Sequence, residues 1–169
     1  MRRTIQTALL GFEPAIRDRQ LKILLAPRAQ ETSSNPSDTG SDIVKLEGEF
    51  RSRIDSSRME SGWNENEGEW KKEDAGLAQR ASELKQFLYS LPVQHVVLVS
   101  HASFLEHLTE QDGWVNTEFR SFEFTSAGPT CIQETEESNE RRRTKPAGGF
   151  KQEFGELNSN PQGLCLSPV

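Results

Sequence analysis

Cysteine is scarce in this chain: only Cys131 and Cys165 occur among 169 residues. Two cysteines so far apart exclude a disulfide framework and a zinc-ligand spacing. Apolar residues are also few, at 33%, and no run approaches the roughly 20 residues that span a bilayer as a helix. The start, MRRTIQTALLGF, is basic, but Thr4, Gln6 and Thr7 interrupt its apolar part, so it does not read as a secretory signal. A soluble, intracellular protein is expected, cytoplasmic by default and with the nucleus open to it. There is no Gly-rich phosphate loop, no cluster of metal-ligating residues, no nucleophile elbow and no internal repeat. No metal and no cofactor are therefore expected. The net charge of −6 leaves little positive surface, which argues against binding nucleic acid or an anionic membrane. An anionic ligand has to be met by a local basic cluster.

The most informative stretch is HVVLVSHASFLEHL, from His95 to Leu108. Val96, Val97, Leu98 and Val99 form an unbroken apolar run, predicting a strand buried on both faces. Ser100 and His101 end it, and Ala102, Phe104, Leu105 and Leu108 have the spacing of a helix's apolar face. His101 thus falls at the carboxyl edge of a sheet, where the free N–H groups of a helix start favour an anion such as phosphate. His95 stands at the opposite end of the strand, and His107 lies within the helix, both reading as surface residues.

Elsewhere, Met1–Phe12 reads as a helix with Ile5, Ala8, Leu9 and Phe12 on one face, ended by Gly11 or Pro14. Leu21–Ala26 fits a short strand before Pro27. Gln30–Asp42 is a loop rich in Ser, Asn, Asp, Pro and Gly. Ile43, Leu46, Phe50 and Ile54 have helical spacing. Ser61–Glu73 is a second loop, with Trp63 and Trp70 as anchors. Leu77, Ala81, Leu84, Leu88 and Leu91 make the stripe of a helix over Ala75–Leu91 that Pro92 ends, and Arg80, Glu83 and Lys85 lie off that stripe. Phe119–Phe124 alternates as a strand should, and Thr130–Gln133 is one more candidate strand. From Glu134 to Val169 the composition predicts a polar, disordered tail. Residues 1–133 are then the folded domain.

Alternating helices and strands around a covered strand predict an α/β protein. The order RRTIQTA at residues 2–8, QET at 30–32, DTGSD at 38–42 and VLVSH at 97–101, entering a helix, resembles the histidine phosphatase superfamily. These are the phosphoglycerate mutase-like proteins. The likeness is closest to their fungal branch, where Trp114, Asn116, Glu118, Arg120 and Phe122 also fit a W-x-N-x-E-x-R-x-F-like segment. It covers roughly residues 1–130 and implies a three-layer α/β/α sandwich with a mostly parallel central sheet. It further implies a phosphomonoester hydrolase acting on a phosphorylated small molecule through a phosphohistidine, without metal. Carried over by motif, Arg3 binds the transferred phosphoryl group, Glu31 donates a proton to the leaving oxygen, and His101 holds the phosphoryl group beside the backbone N–H of Ala102.

The chain departs from that pattern in two places. Ala102 follows His101 where the family commonly has glycine. The first strand, ending in Arg-His-Gly and carrying the nucleophile, is missing, and neither His95 nor His107 replaces it. The expectation is an N-terminally incomplete domain with little or no turnover. Its sheet is expected to lie open at the middle, so that the chain alone folds poorly. Two rival readings stand beside this one: a non-catalytic pseudoenzyme binding phospho-ligands through Arg3 and His101, and an interaction protein working through the charged tail from Glu134 to Lys145. The pattern sets no oligomeric state.

Overall fold

The computed structural model describes residues 2–65, 67, 70, 74–144 and 163–168. Helix α1 (Arg2–Gly11) turns Thr4, Ile5, Ala8 and Leu9 inward. Gly11 ends it, and Pro14 falls in the first turn of a short α2 (Glu13–Asp18), where its missing N–H has no partner to lose. Strand β1 (Ile23–Ala26) buries Ile23, Leu25 and Ala26 and runs into a single 3₁₀ turn, Pro27–Ala29. The polar loop to Asp42 has no regular structure, as its composition predicts. Asp42 then caps α3 (Ile43–Phe50) by accepting a 2.8 Å bond from the Val44 N–H.

Ile54, expected on the last turn of that helix, belongs instead to the two-residue strand β2 (Ile54–Asp55). Arg51 takes φ +49° and breaks the helix before the turn is reached. Ile54 is buried in the same apolar cluster as Leu46 and Phe50, so helical spacing here reflects a shared core and not a shared helix. Helix α4 (Asp74–Ser90) follows the predicted stripe, with Leu77, Ala81 and Leu84 buried. Arg80 and Lys85, which lie off the stripe, are buried as well.

Strand β3 (His95–Leu98) and helix α5 (Ala102–Thr109) fall where the sequence places them. Phe104 and Leu108 of α5 are buried, but Val96, Val97 and Leu98 are only half-buried. The strand is the last one of its sheet, which leaves one of its edges and part of its faces uncovered. Strands β4 (Phe122–Phe124) and β5 (Ile132–Glu134) pair antiparallel in a separate hairpin.

The predicted tail is in part ordered. It contributes the last residue of β5, helix α6 (Glu136–Thr144) and strand β6 (Gly163–Pro168). Glu134 anchors α6 by accepting from the Ser138 hydroxyl at 2.9 Å and pairing with Arg142 at 2.9 Å. Composition alone misses such anchors. Residues 145–162 and 169 of the predicted tail lie outside the described residues.

Strand β6 also corrects the expectation of an open sheet. The main sheet runs β2-β1-β6-β3, all parallel, so β6 fills the gap between β1 and β3. Leu24, Leu166 and Leu98 stand in register across it. Successive β1 side chains go to different clusters: Ile23 and Leu25 join α1, α3, Trp63 and Trp70, while Ala26 joins Ala29, Ala81, Leu84, Phe104 and Leu108. The chain is thus an α/β protein with a parallel sheet. Parallel strands bring the carboxyl ends of β1 and β3 to one edge, and that edge carries the candidate site.

Candidate functional site at the carboxyl edge of the sheet

Two strand ends build the site. Beyond β1, the 3₁₀ turn leads to Gln30 and Glu31; beyond β3, Val99 and Ser100 lead to His101, the residue before α5. The Ser100 hydroxyl donates to the Ala29 carbonyl at 2.9 Å and ties the two strand ends together. Glu31 and His101 then meet, with the Glu31 Oε2 3.3 Å from the His101 Nδ1. The other Glu31 oxygen accepts from the Thr32 N–H at 2.8 Å, which fixes the carboxylate in place.

A carboxylate facing Nδ1 favours the tautomer with its proton there. The other ring nitrogen, Nε2, is buried and has no hydrogen-bond partner. A buried polar atom without a partner costs free energy unless a ligand meets it. Burial pulls the His101 imidazole below its ordinary value; the Glu31 charge opposes this, Arg3 adds to the fall and Asp38 offsets it. His101 is therefore neutral at pH 7. Its backbone is extended, it makes no side-chain cap, and the first N–H groups of α5, beginning with Ala102, follow directly.

Arg3 lies on the first turn of α1, its side chain largely exposed, with Nη2 3.5 Å from the Asp38 carboxylate. It reaches the cluster by charge and through Asp38, without touching Glu31 or His101 directly. Asp38 comes from the loop between β1 and α3. Burial works to raise its pKa, but hydrogen bonds from Ser33 and Ser37, the Arg3 charge and a bond from Asn35 outweigh this and hold it below the usual carboxylate range. Sequence reasoning recorded the DTGSD motif but gave Asp38 no role; a carboxylate set among serines and asparagine was the available signal.

A second residue without an assigned role is Arg80. It is fully buried, donating from Nε to the Arg28 carbonyl at 3.1 Å and from Nη2 to the Gln30 carbonyl. Its guanidinium lies 4.9 Å from the centre of the Phe104 ring. Burial and then the neighbouring Arg28 charge pull its pKa down to about 10, with Glu31 opposing, so it remains charged at neutral pH. On the far side of the loop, Gln30 donates to the Trp63 carbonyl at 2.8 Å.

The segment from Trp114 to Phe122 forms a compact knot apart from the cluster. Arg120 holds Glu118 through both carboxylate oxygens, at 2.7 and 3.1 Å, and stacks 4.1 Å over the Trp114 ring. Trp114 in turn stacks on Phe122, whereas Asn116 is exposed. His95 and His107 are exposed, at the start of β3 and in the last turn of α5. Among the described residues, no three His, Cys, Asp or Glu side chains gather as a metal site needs, and no helix is long and apolar enough to cross a membrane. No protein-family model, curated protein or solved structure matches the chain.

Proposed function

We propose that the Glu31–His101 cluster is a phosphomonoester site of the histidine phosphatase type. The observation that carries this reading is the meeting of Glu31 and His101 at one sheet edge beside an unpartnered Nε2. In this reading Nε2, once it has taken up a proton, and the Ala102 N–H hold the phosphoryl oxygens, Arg3 swings from Asp38 to neutralise their charge, and Glu31, in its protonated form, gives its proton to the leaving oxygen. The proposal includes the three-layer α/β/α arrangement, supported by the division of β1 side chains between two apolar clusters. The substrate class is a phosphorylated small molecule.

A second reading, a protein that binds phospho-ligands without turning them over, is favoured by one observation. His101 is the one histidine of the cluster, because His95 and His107 are exposed elsewhere. The transfer of a phosphoryl group to a histidine needs a second, nucleophilic imidazole in line with the leaving oxygen. Binding without turnover is therefore expected of this chain.

Titration of the isotope-labelled protein with inorganic phosphate tests the site. Saturable shifts of the His101 ring and the Ala102 amide, lost in His101→Ala, are expected. Unmoved resonances would overturn both readings. An aryl phosphate assay separates them: turnover abolished by His101→Ala marks an enzyme, and binding without turnover marks the phospho-ligand protein.

A further inference from the structure

Glu31 is useful at this edge only if its loop stays in place. Nothing in the sequence from Pro27 to Thr32 makes that loop rigid, apart from the one proline that opens it. Within it the Pro27 carbonyl accepts from the Gln30 N–H, but those of Arg28 and Gln30 need side-chain donors. Arg80 supplies them. One guanidinium bonds two alternate carbonyls, those of Arg28 and Gln30, on either side of the Ala29 carbonyl that Ser100 holds. The same guanidinium lies against Phe104, the third residue of the helix that His101 precedes. It therefore touches both segments whose side chains meet in the Glu31–His101 pair.

Resting on the reading of that pair as the functional site, we infer that Arg80 is its positioning residue. It acts through the backbone of residues 28–30 to hold the Glu31 carboxylate on His101 Nδ1. Arginine suits this task where lysine does not. Its planar fork presents N–H groups in fixed directions to two acceptors while its face packs on an aromatic ring, and an ammonium cannot do both. A buried guanidinium is also costly, and here Nε and Nη2 are met while Nη1 is buried without an acceptor, so the position is not a neutral one for packing alone. On an amphipathic helix whose stripe is already complete, a leucine would fill the space more simply.

The test reads the His101 ring by nitrogen-15 spectroscopy in four proteins: wild type, Glu31→Gln, Arg80→Met and the double variant. Wild type is expected to hold its proton on Nδ1. Glu31→Gln removes the charge that favours this state, giving a mixture of tautomers and a lower titration midpoint. Arg80→Met is expected to give the same mixture and a fall in the same direction, and the double variant to match Glu31→Gln alone, because Arg80 acts only through Glu31. A midpoint and tautomer in Arg80→Met unchanged from wild type, or shifts in the double variant that add, would overturn the inference. Thermal melts run alongside show which variants are folded. If Arg80→Met is not, Arg80→Lys replaces it in the same cycle, with a partial loss of the Nδ1 tautomer expected and a wild-type ring counting against the inference. Phosphate added to wild type reports on the site itself: a His101 ring that ignores phosphate rejects the function, whereas the four-protein cycle judges Arg80 whether or not phosphate binds.

Discussion

Gly40 lies flat against the indole of Trp63: a Cβ built on Gly40 would stand 1.6 Å from the ring carbon Cη2. The same stretch of chain accepts, through the Gly40 carbonyl, a 3.0 Å bond from the Asn64 side chain. Trp63 itself is buried and accepts from Gln30 through its backbone carbonyl, so this residue, by its ring on one side and its carbonyl on the other, links the DTGSD loop to the residue beside Glu31. Gly40→Ala must displace a large ring from a packed core. A loss of about 1–3 kcal/mol or more in urea unfolding is expected. At Gly48, on the exposed face of α3, a Cβ meets nothing within 4 Å, so alanine there should be neutral or slightly stabilising.

His101 makes anion binding depend on protons. Neutral, with its proton on Nδ1 facing Glu31, it presents Nε2 as a lone pair, which repels an anion. Binding therefore requires Nε2 to take up a proton. Sulfate, which does not titrate in this range, is expected to bind more tightly as pH falls below about 6.5, and calorimetry in buffers of different ionisation enthalpy should record proton uptake. Stability carries the corresponding sign. Because the folded His101 pKa is depressed, the unfolded chain takes up the proton first. The His101 contribution is intact above about 6.5 and is lost as pH falls through the folded value. Urea midpoints from pH 7 to 5 should fall in wild type and fall less in His101→Gln.

Some of this was legible in the sequence and some was not, for reasons that particular residues make plain. His101 could be placed because an apolar run, a polar stop and a helical stripe follow one another within a few residues. Glu31 could be placed by order of motifs, and their meeting follows from parallel strands. Ile54 misled because helical spacing and burial in a common core leave the same mark in sequence. Arg80 was illegible: a charged residue beside an apolar stripe reads as a solvated face, and the carbonyls that draw it inward belong to a loop distant in sequence. Strand β6 was hidden for a different reason. GLCLSP is short, lies after a long polar stretch and has no period of its own, and only the gap between β1 and β3 gives it a place.

Arg120 and Glu118 should behave as a buried ion pair whose parts cannot be removed singly. The Arg120 side chain is almost wholly buried, and beyond Glu118 it donates to the Gly113 carbonyl at 3.1 Å and the Gln111 side chain at 3.2 Å. Burial works to raise the Glu118 pKa, but Arg120 and the Val115 N–H hold the carboxylate below its ordinary value. Arg120→Met leaves that carboxylate without its cation and should cost about 3–5 kcal/mol. Arg120→Lys should recover little, since it loses the two-point grip and the stack on Trp114. Glu118→Gln combined with Arg120→Met should be less destabilised than the sum of the two single variants, which a double-mutant cycle of urea midpoints measures.

Strand β6 bears on whether the chain folds as one cooperative unit. As the inner strand between β1 and β3, it pairs on both sides, with Leu166 opposite Leu24 in one direction and Leu98 in the other. A central strand tolerates no proline in its interior, because the ring removes a ladder N–H and obstructs the neighbouring strand. Leu166→Pro is expected to abolish the sharp thermal transition, as is a chain ending at Thr144. Leu166→Val, which keeps the N–H and has higher strand propensity, should retain the transition. If the chain ending at Thr144 melted as sharply and at the same temperature as the full chain, β6 would have no part in the sheet's stability. If both lacked a transition, the sheet's middle would be open in solution, as the sequence alone predicts. Loss confined to the proline variant and the shortened chain is the expected result, because an unpaired row of backbone groups between β1 and β3 is the one arrangement that a parallel sheet cannot carry at its centre.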